Sequence, residues 1–198
     1  MSDTDEIAKL DPARTALLMM DYQPGIIGRL EDSEALVTRA QEAIAAARAA
    51  GATVGYVRVA FTDEDFEAMP DGAPMARVKA MPREAMHANS PGTQVDGRVA
   101  PADGDIVVRK TRVGPFLTTD LDEQLRARGI DTLVLAGIST SGVVLSAVRD
   151  AHDRDYRLYV LADATADPLP DVHEALIEKI FPRQAEVIEV ADLEALLG

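Results

Sequence analysis

Short apolar runs alternate along the chain with longer amphipathic segments. The first run is Thr15–Tyr22 (TALLMMDY), and it is followed by Ser33–Ala50, which is rich in Ala, Glu and Arg. The short apolar run predicts a buried strand, and the longer periodic segment predicts a helix. Ser33 is the expected N-cap of this helix, and Gly51 is the residue expected just beyond its end.

The same alternation continues to the C-terminus. Further strands are predicted at Thr53–Phe61, Asp105–Lys110, Thr132–Ile138, Arg157–Asp163 and Ala185–Val190, and further helices at Thr118–Arg128, Ser141–Arg154, Asp171–Phe181 and Asp192–Leu197. Nearly continuous apolar strands that alternate with helices are typical of βαβ units. We therefore predict an α/β fold with three layers, α/β/α, around a mainly parallel sheet of roughly six strands.

One stretch departs from this rhythm. Residues 62–104 have little periodicity and carry prolines at positions 70, 74, 82, 91 and 101. A loop this long inside a compact domain is usually functional or forms a subunit contact. Because 198 residues suit one hydrophobic core, we expect residues 1–198 to form a single domain with 62–104 as an irregular excursion.

The amino-acid composition argues against several kinds of binding partner and several kinds of reactive site. The chain has 34 acidic and 20 basic side chains, a net charge of −14, which argues against nucleic acid as a partner. It has no apolar run of about eighteen residues, so we expect no membrane partner. Its acidic start, Met-Ser-Asp-Thr-Asp-Glu, is unlike a signal peptide and favours the cytoplasm. With no cysteine and three histidines, we expect no disulfide, no metal and no cofactor.

Two charged residues stand where otherwise apolar strands end. Asp21 follows the first predicted strand and Lys110 closes the third. Ligands of parallel sheets bind beyond the carboxyl ends of the strands. A charge there can simply mark where the chain meets water. If the two strand ends are adjacent, the ammonium and carboxylate form a pair suited to acid–base catalysis.

Three segments carry a resemblance to a known family. They are ALLMMDYQPGI (Ala16–Ile26), VVRKTRVGPFLTTDLDEQLRARGIDTLVLAGIST (Val107–Thr140) and GISTSGVVLSAVRDAHDRDYRLYVLADATAD (Gly137–Asp167). In this order they resemble the isochorismatase-like hydrolase superfamily, which includes isochorismatases, nicotinamidases and related amide hydrolases. The resemblance covers nearly the whole chain and implies the same α/β fold and a hydrolase that acts on a small molecule.

The resemblance also implies roles for individual residues. Asp21 matches the family's general acid/base, and Lys110 matches the lysine beside it. The position of the family's cysteine nucleophile is occupied by Val143. Because valine has no nucleophilic atom, a thioester route cannot run through this position.

The expected oxyanion pocket lies just before Val143. The Ile138–Ser139 peptide matches one that is commonly cis in the family, and Gly142 belongs to the same turn. The metal site of nicotinamidases is missing, because its Asp-x-His is replaced here by Phe-Thr-Asp-Glu-Asp at 61–65. The free N–H groups of the following helix are expected to bind an oxyanion or a substrate carboxylate.

Four further side chains are predicted to contact the substrate. Gln23, Phe61 and Phe116 are expected at the pocket, and Arg58 is expected to bind a substrate carboxylate. Gln23 has an equally good interpretation as a turn residue, Phe116 as a packing residue, and Arg58 as half of an ion pair. The histidines are interpreted as surface residues: His87, His152 and His173.

Three functions remain open. The first is a hydrolase without a cysteine nucleophile that cleaves a vinyl ether or an activated C–N bond. The second is an amidohydrolase that uses a substitute nucleophile, drawn from Ser139, Thr140, Ser141 and Ser146. The third is a catalytically degenerate small-molecule binding protein. Isochorismate itself is one option only, since the sequence shows no evident arginine cluster for a dicarboxylate. By the resemblance, we expect a homodimer or homotetramer.

Overall fold

The computed structural model describes residues 9–198, and its centre is a single sheet. The strands are β1 (Thr15–Met20), β2 (Thr53–Val59), β3 (Ile106–Lys110), β4 (Thr132–Ile138), β5 (Arg157–Ala166) and β6 (Glu186–Ile188). Their order across the sheet is β3-β2-β1-β4-β5-β6, and every neighbouring pair is parallel. The prediction of a parallel, six-stranded sheet is confirmed.

Helices connect the strands. They are α1 (Pro24–Ile27), α2 (Ser33–Ala50), α3 (Asp63–Ala68), α4 (Arg83–Met86), α5 (Leu121–Ala127), α6 (Leu145–His152), α7 (Pro170–Ala175) and α8 (Val190–Leu197). The bounds of α2 are as predicted, and Gly51 ends it in the left-handed region with φ 79°. Ser33 is not the N-cap, because Asp32 holds that position and Ser33 is already helical. None of the helices in residues 9–198 is long and apolar enough to span a membrane.

The helices form a layer on each face of the sheet. Successive residues of a strand point to opposite faces, so Leu17 and Met19 of β1 pack in the core that α2 and α8 cover. Leu18 and Met20 pack in the core beneath α5 and α6. The predicted three-layer α/β/α arrangement is confirmed.

Two segments that are predicted as regular helices each contain a π-helical turn. The segment expected at Ser141–Arg154 starts as a π-helical turn, Thr140–Val144, before α6 begins. The segment expected at Asp171–Phe181 is α7 followed by another π-helical turn, Leu176–Ile180. Periodicity cannot separate such turns from a regular helix, because both keep nearly the same apolar face.

The excursion at 62–104 is more ordered than its composition suggests. It contains α3, α4 and three 3-10 turns, at Pro74–Ala80, Pro91–Thr93 and Gly97–Val99. Phe61, Phe66, Met69 and Val78 form a small apolar core of its own. The excursion therefore packs as a structured cap at the β2–β3 side of the sheet.

The topology creates a crevice at the carboxyl ends of β1 and β4. Strand order reverses at this pair, and such switch points are where ligands bind in open α/β sheets. Gly137 lets the two strands approach, since a Cβ there would lie 3.0 Å from the Met20 carbonyl oxygen. The chain leaves β1 and β4 directly into this crevice.

Candidate active site

Asp21 stands at the carboxyl end of β1 in an unusual backbone conformation. Its φ is 60°, in the left-handed region that non-glycine residues rarely occupy. Its N–H donates to the Val57 carbonyl oxygen at 2.8 Å, and its carbonyl oxygen accepts from the Gln23 N–H at 2.8 Å. These bonds hold the turn that directs the Asp21 side chain into the crevice. Backbone strain of this kind is concentrated at functional sites.

Lys110 reaches Asp21 across an intervening strand. Its Nζ lies 2.8 Å from Asp21 Oδ2, although β1 and β3 are separated by β2. The expectation that the two strands are adjacent is wrong, although the expected pair forms. Two inter-strand spacings amount to about 10 Å, and the long lysine side chain covers the gap over the end of β2. The same ammonium donates to the Val113 carbonyl oxygen at 2.6 Å.

Burial sets the electrostatics of this pair. Burial raises the pKa of Asp21 to about 6, and the nearby Lys110 charge opposes that rise. Burial likewise lowers the pKa of Lys110, opposed by the charge of Asp21. Asp21 Oδ1 is buried and has no hydrogen-bond partner among residues 9–198. The carboxyl group can therefore exchange a proton near neutral pH, and its Oδ1 atom remains free to bond to a ligand or to water.

The pair faces a cavity of about 760 Å³ beyond the strand ends. The residues expected from the resemblance all line it: Asp21, Lys110, Ile138, Ser139, Gly142 and Val143. The Ile138–Ser139 peptide is cis. A Cβ at Gly142 would lie 2.7 Å from Ser139 Oγ, so glycine leaves space for that hydroxyl. These six residues, all named from the sequence, are called the floor of the cavity.

The nucleophile position is apolar. Val143 is 2% exposed and presents its side chain between the cavity and the core beneath α6. A valine here offers neither a lone pair nor a proton. The attacking group of a hydrolytic reaction must come from another side chain or from water.

The start of the following helix is held by side chains that the sequence did not single out. Asp167 Oδ2 accepts from the Ser141 N–H at 2.8 Å and from its hydroxyl at 2.6 Å. The Gly142 N–H donates to the Ser139 carbonyl oxygen at 3.2 Å. The expectation of free N–H groups is therefore wrong for Ser141 and Gly142, because an acidic side chain and a tight turn already use them.

His173 is not a solvated histidine. Its Nδ1 lies 2.8 Å from Thr140 Oγ1, and the Thr140 side chain is fully buried. Burial lowers the pKa of His173, opposed by the nearby charge of Asp167. Only the tertiary packing of α7 against the π-helical turn brings this contact about, so periodicity gave no signal for it.

Gln23 lines the cavity, but its amide is used by the backbone. Nε2 donates to the carbonyl oxygens of Val59 at 2.9 Å and Thr93 at 2.8 Å, and Oε1 accepts from the Val59 N–H at 2.8 Å. The side chain thus ties the end of β1 to β2 and to the excursion. The structure supports a positioning role over the predicted substrate contact.

The other predicted contacts lie outside the cavity lining. Arg58 donates to the carbonyl oxygens of Ala88 and Thr93, at 3.2 and 3.0 Å. Phe61 is buried against Phe66, with ring centroids 5.4 Å apart. Phe116 stacks on Tyr156 at 6.4 Å beneath α6. Each of the three side chains therefore contacts neighbouring parts of the protein and does not reach the cavity.

The acidic residues after β2 have a structural role. Thr62 and Asp65 form a capping box at the start of α3, and Asp65 also pairs with Arg109 at 2.6 Å. Among residues 9–198 there is no group of three or more His, Cys, Asp or Glu placed to hold a metal ion.

The upper wall of the cavity comes from the excursion and from α1. It includes Met75, Met81 and Met86, together with two arginines, Arg29 and Arg77. Sequence reasoning missed all five, since they are dispersed over 58 positions and belong to segments without periodicity. Their chemistry gives the cavity an apolar wall with cationic groups.

Comparison with known proteins places this geometry in a family. The family model described as the Isochorismatase domain matches residues 15–192. The chain belongs to the isochorismatase family. This membership confirms the resemblance drawn from the three sequence segments.

Relatives within the isochorismatase family support a hydrolase. The chain is 35% identical over 190 residues to the uncharacterized isochorismatase family protein YecD of Escherichia coli O157:H7, covering 93% of this chain and 97% of the relative. It is 34% identical to the ureidoacrylate amidohydrolase RutB of Methylobacterium radiotolerans, covering 96% and 81%. Further relatives with named activities are also amide hydrolases. This isochorismatase family member is a hydrolase.

A solved structure shows the same architecture. A cysteine hydrolase from Pseudomonas syringae pv. phaseolicola superposes with a TM-score of 0.86 at 25% identity, over 96% of this chain and 94% of the other. The isochorismatase family fold is thus retained, although this chain contains no cysteine.

Proposed function

We propose that the protein hydrolyses a small molecule with water as the attacking group, using Asp21 as general acid/base and Lys110 as its electrostatic partner. The observation that carries this proposal is the state of the Asp21 carboxyl group. Asp21 lines the cavity; its Oδ2 is paired with Lys110 Nζ at 2.8 Å, while the buried Oδ1 has no partner among residues 9–198. Val143 at the nucleophile position leaves this carboxyl as the reactive group of the floor.

For an activated C–N bond, the steps balance without a covalent enzyme intermediate. The Asp21 carboxylate accepts a proton from a water molecule, whose oxygen forms a bond to the carbonyl carbon. The Lys110 ammonium stabilises the negative charge that develops on the carbonyl oxygen. Protonated Asp21 then gives its proton to the leaving nitrogen as the C–N bond breaks. The relative that acts on ureidoacrylate is an amidohydrolase, which favours this version.

A vinyl ether requires the opposite starting state. Protonated Asp21 would donate to the vinyl carbon, and water would then add to the resulting oxocarbenium ion and return a proton to Asp21. The C–O bond of the resulting hemiketal would then break, with a proton passing to the leaving oxygen, to give a ketone and an alcohol. The pKa of about 6 leaves both protonation states populated near neutral pH. The two versions therefore differ in how the rate depends on pH.

Replacement of Asp21 tests the proposal. We expect Asp21→Asn to lower kcat/KM by about 10²–10⁴-fold, the usual contribution of a general acid or base. The assay follows hydrolysis of a panel of amides and ureido acids, led by ureidoacrylate, with isochorismate as the vinyl ether. Asp105→Asn is the matched control, since Asp105 pairs with Arg48 at 2.7 Å away from the cavity. Full turnover by Asp21→Asn would refute the mechanism.

Ser139 supports a second candidate, an amidohydrolase with a serine nucleophile. Of the four hydroxyl groups considered, Ser139 lines the cavity, whereas Thr140 bonds to His173 and Ser141 to Asp167. Ser146 lines a separate surface cavity. Labelling at Ser139 by a fluorophosphonate, with loss of turnover in Ser139→Ala, would favour this candidate over attack by water.

A degenerate binding protein, the third function that the sequence leaves open, does not agree with the amide hydrolases among the relatives. It predicts ligand binding without turnover of any member of the substrate panel. The retained pair of Asp21 and Lys110 argues against it, since a buried ion pair is costly and a binding site has no evident need for one. Ligand binding with no hydrolysis in the wild-type protein would select it.

We also propose that the protein is a homodimer or homotetramer of the cytoplasm. Exposed apolar side chains near the loop after β3 and before α7 support self-association: Val113, Leu117 and Leu169 are 43%, 77% and 59% exposed. Light scattering coupled to size-exclusion chromatography gives the oligomeric state directly, and a monomeric mass would contradict the proposal.

A further inference from the structure

The charge of the cavity differs in sign from that of the whole chain. Three cationic side chains and two anionic ones line it: Arg29, Arg77, Lys110, Asp21 and Glu84. The chain as a whole carries a net charge of −14. A cationic pocket in an anionic molecule concentrates anions at its mouth, since charged clefts focus the local potential.

Arg29 and Arg77 carry the remaining positive charge of the lining, and Glu84 offsets one of these two charges. Lys110 and Asp21 neutralise each other at 2.8 Å. Within residues 9–198, neither Arg29 nor Arg77 has a carboxylate within salt-bridge distance or a side-chain hydrogen bond, and both are exposed. Nine other arginines pair with a carboxylate: Arg14, Arg39, Arg48, Arg83, Arg98, Arg109, Arg126, Arg154 and Arg157. The arginines that have no such pair within residues 9–198 and do not line this cavity are Arg58, Arg112, Arg128, Arg149 and Arg183.

The two arginines come from different segments that converge on the cavity. Arg29 follows α1, whose Gly25 approaches the excursion so closely that a Cβ would lie 3.0 Å from the Gly92 carbonyl oxygen. Arg77 lies in the 3-10 turn Pro74–Ala80, next to the buried Val78. Two segments that are distant in the sequence thus each contribute an arginine to the lining of one cavity.

We propose that Arg29 and Arg77 bind a carboxylate group of the ligand, so that the substrate is a small organic acid. The inference rests on the proposed function only for the bond that is cleaved. The binding of a carboxylate does not depend on that function. A guanidinium presents paired N–H donors that match a carboxylate. The methionines of the wall, Met75, Met81 and Met86, contact the carbon skeleton between that carboxylate and the floor.

The inference can be tested separately from catalysis by measuring the binding of pairs of ligands that cannot be hydrolysed. The probes are butanoate with 2-pentanone and benzoate with acetophenone, in which a methyl ketone replaces the carboxylate without change of shape. We expect each acid to bind the wild-type protein about tenfold more tightly than its ketone, as two charge-assisted contacts at an exposed site would give. Dissociation constants are measured by ligand-observed NMR at low salt, where exposed charges are least screened.

Variants assign the preference to the two arginines. In the double variant Arg29→Gln/Arg77→Gln, the ratio between ketone and acid dissociation constants is expected to fall to about one. The matched control is Arg112→Gln/Arg149→Gln, which removes the same charge from a separate surface cavity and leaves the ratio unchanged.

Three results would overturn the inference: no preference for either acid, failure of both acids to bind, or equal loss of preference in the control. A carboxylate preference that depends on Arg29 and Arg77 supports the inference even when the substrate panel shows no hydrolysis. That combination would refute the proposed function alone.

Discussion

At the scale of single residues, the site depends on how one carboxyl group is buried. Asp21 is held at φ 60° with one oxygen paired to Lys110 and the other without a partner among residues 9–198. Burial disfavours the ionised form, and the ammonium restores part of its stability. The balance brings the pKa close to neutrality, where a general acid or base is most effective.

The pH profile of hydrolysis follows from this pKa. Asp21 acting as a base requires its carboxylate form, so kcat/KM should rise with pH and reach half its plateau near a pKa of about 6. Removing the ammonium in Lys110→Met leaves burial unopposed and should shift the midpoint to higher pH. Exposed Lys179→Met is the control and should not move it.

The direction of the profile distinguishes the two mechanisms. A rate that falls above the same midpoint indicates that protonated Asp21 is the active form, as vinyl ether cleavage requires. A profile with no inflection at the Asp21 pKa would contradict any acid or base role for this residue. The measurement is the initial rate of product release over about pH 4.5 to 8, from whichever amide or vinyl ether of the substrate panel the protein hydrolyses.

Val143→Cys tests whether the nucleophile position still faces a reactive environment. The native chain has no cysteine, so the variant carries a single thiol. Because Val143 lines the same cavity as the Lys110 ammonium, the thiol should ionise readily and react with iodoacetamide. We expect alkylation at pH 7 to be at least about tenfold faster than for Val148→Cys.

Val148→Cys is the matched control because that side chain is fully buried in the core beneath α6. Alkylation rates follow from intact-protein mass spectrometry. Equal rates for the two variants would show that position 143 is closed to ligands, which would contradict its assignment to the cavity.

At the scale of elements, strand ends and loops are tied together by side chains rather than by further strands. Gln23 connects β1 to β2 and to the excursion through bonds to Val59 and Thr93. Asp167 and His173 hold the turn after β4 from the side of β5 and α7. These ties explain how the floor of the cavity is held in place where regular strand pairing ends.

Gln23→Ala should destabilise the fold strongly, because the Gln23 side chain is buried and bonded to the backbone. The change removes the Gln23 partner of the Val59 N–H and of the Val59 carbonyl oxygen and leaves the Thr93 carbonyl oxygen with Arg58 alone, at a cost of about 2–4 kcal/mol. The free energy of unfolding is measured by urea denaturation followed by circular dichroism. Gln41→Ala, which loses one exposed bond to the Arg98 carbonyl oxygen, should stay within about 0.5 kcal/mol. Equal midpoints for the two variants would contradict the positioning role.

At the scale of the whole molecule, a large double-sided core supports a small cap. Two apolar cores flank the sheet, and the excursion adds a third with Phe61, Phe66, Met69 and Val78. Segments with few buried contacts open more readily than a central sheet. The cap contributes most of the upper wall of the cavity, so its opening would admit ligands to the floor.

Hydrogen exchange should separate the cap from the sheet. Amides of residues 63–86 are expected to exchange at least about 100-fold faster than those of β1 and β4, which exchange only on global unfolding. Peptide-resolved mass spectrometry measures both within one sample, so global stability is common to the two regions. Equal protection would show that the cap and sheet open as one cooperative unit.

The sequence by itself determined the order and type of most elements, the parallel sheet, and the positions of Asp21, Lys110 and Val143. The elements and the two strand-end charges are local features, because periodicity and charge are encoded within each segment. The position of Val143 followed from the resemblance of its segment to the isochorismatase family. Only the tertiary structure decided that Lys110 crosses β2 to reach Asp21, that Gln23 serves the backbone, and that Arg58, Phe61 and Phe116 lie outside the cavity. It also brought together Arg29 and Arg77, since contacts between distant segments depend on strand order and loop packing that no local pattern records.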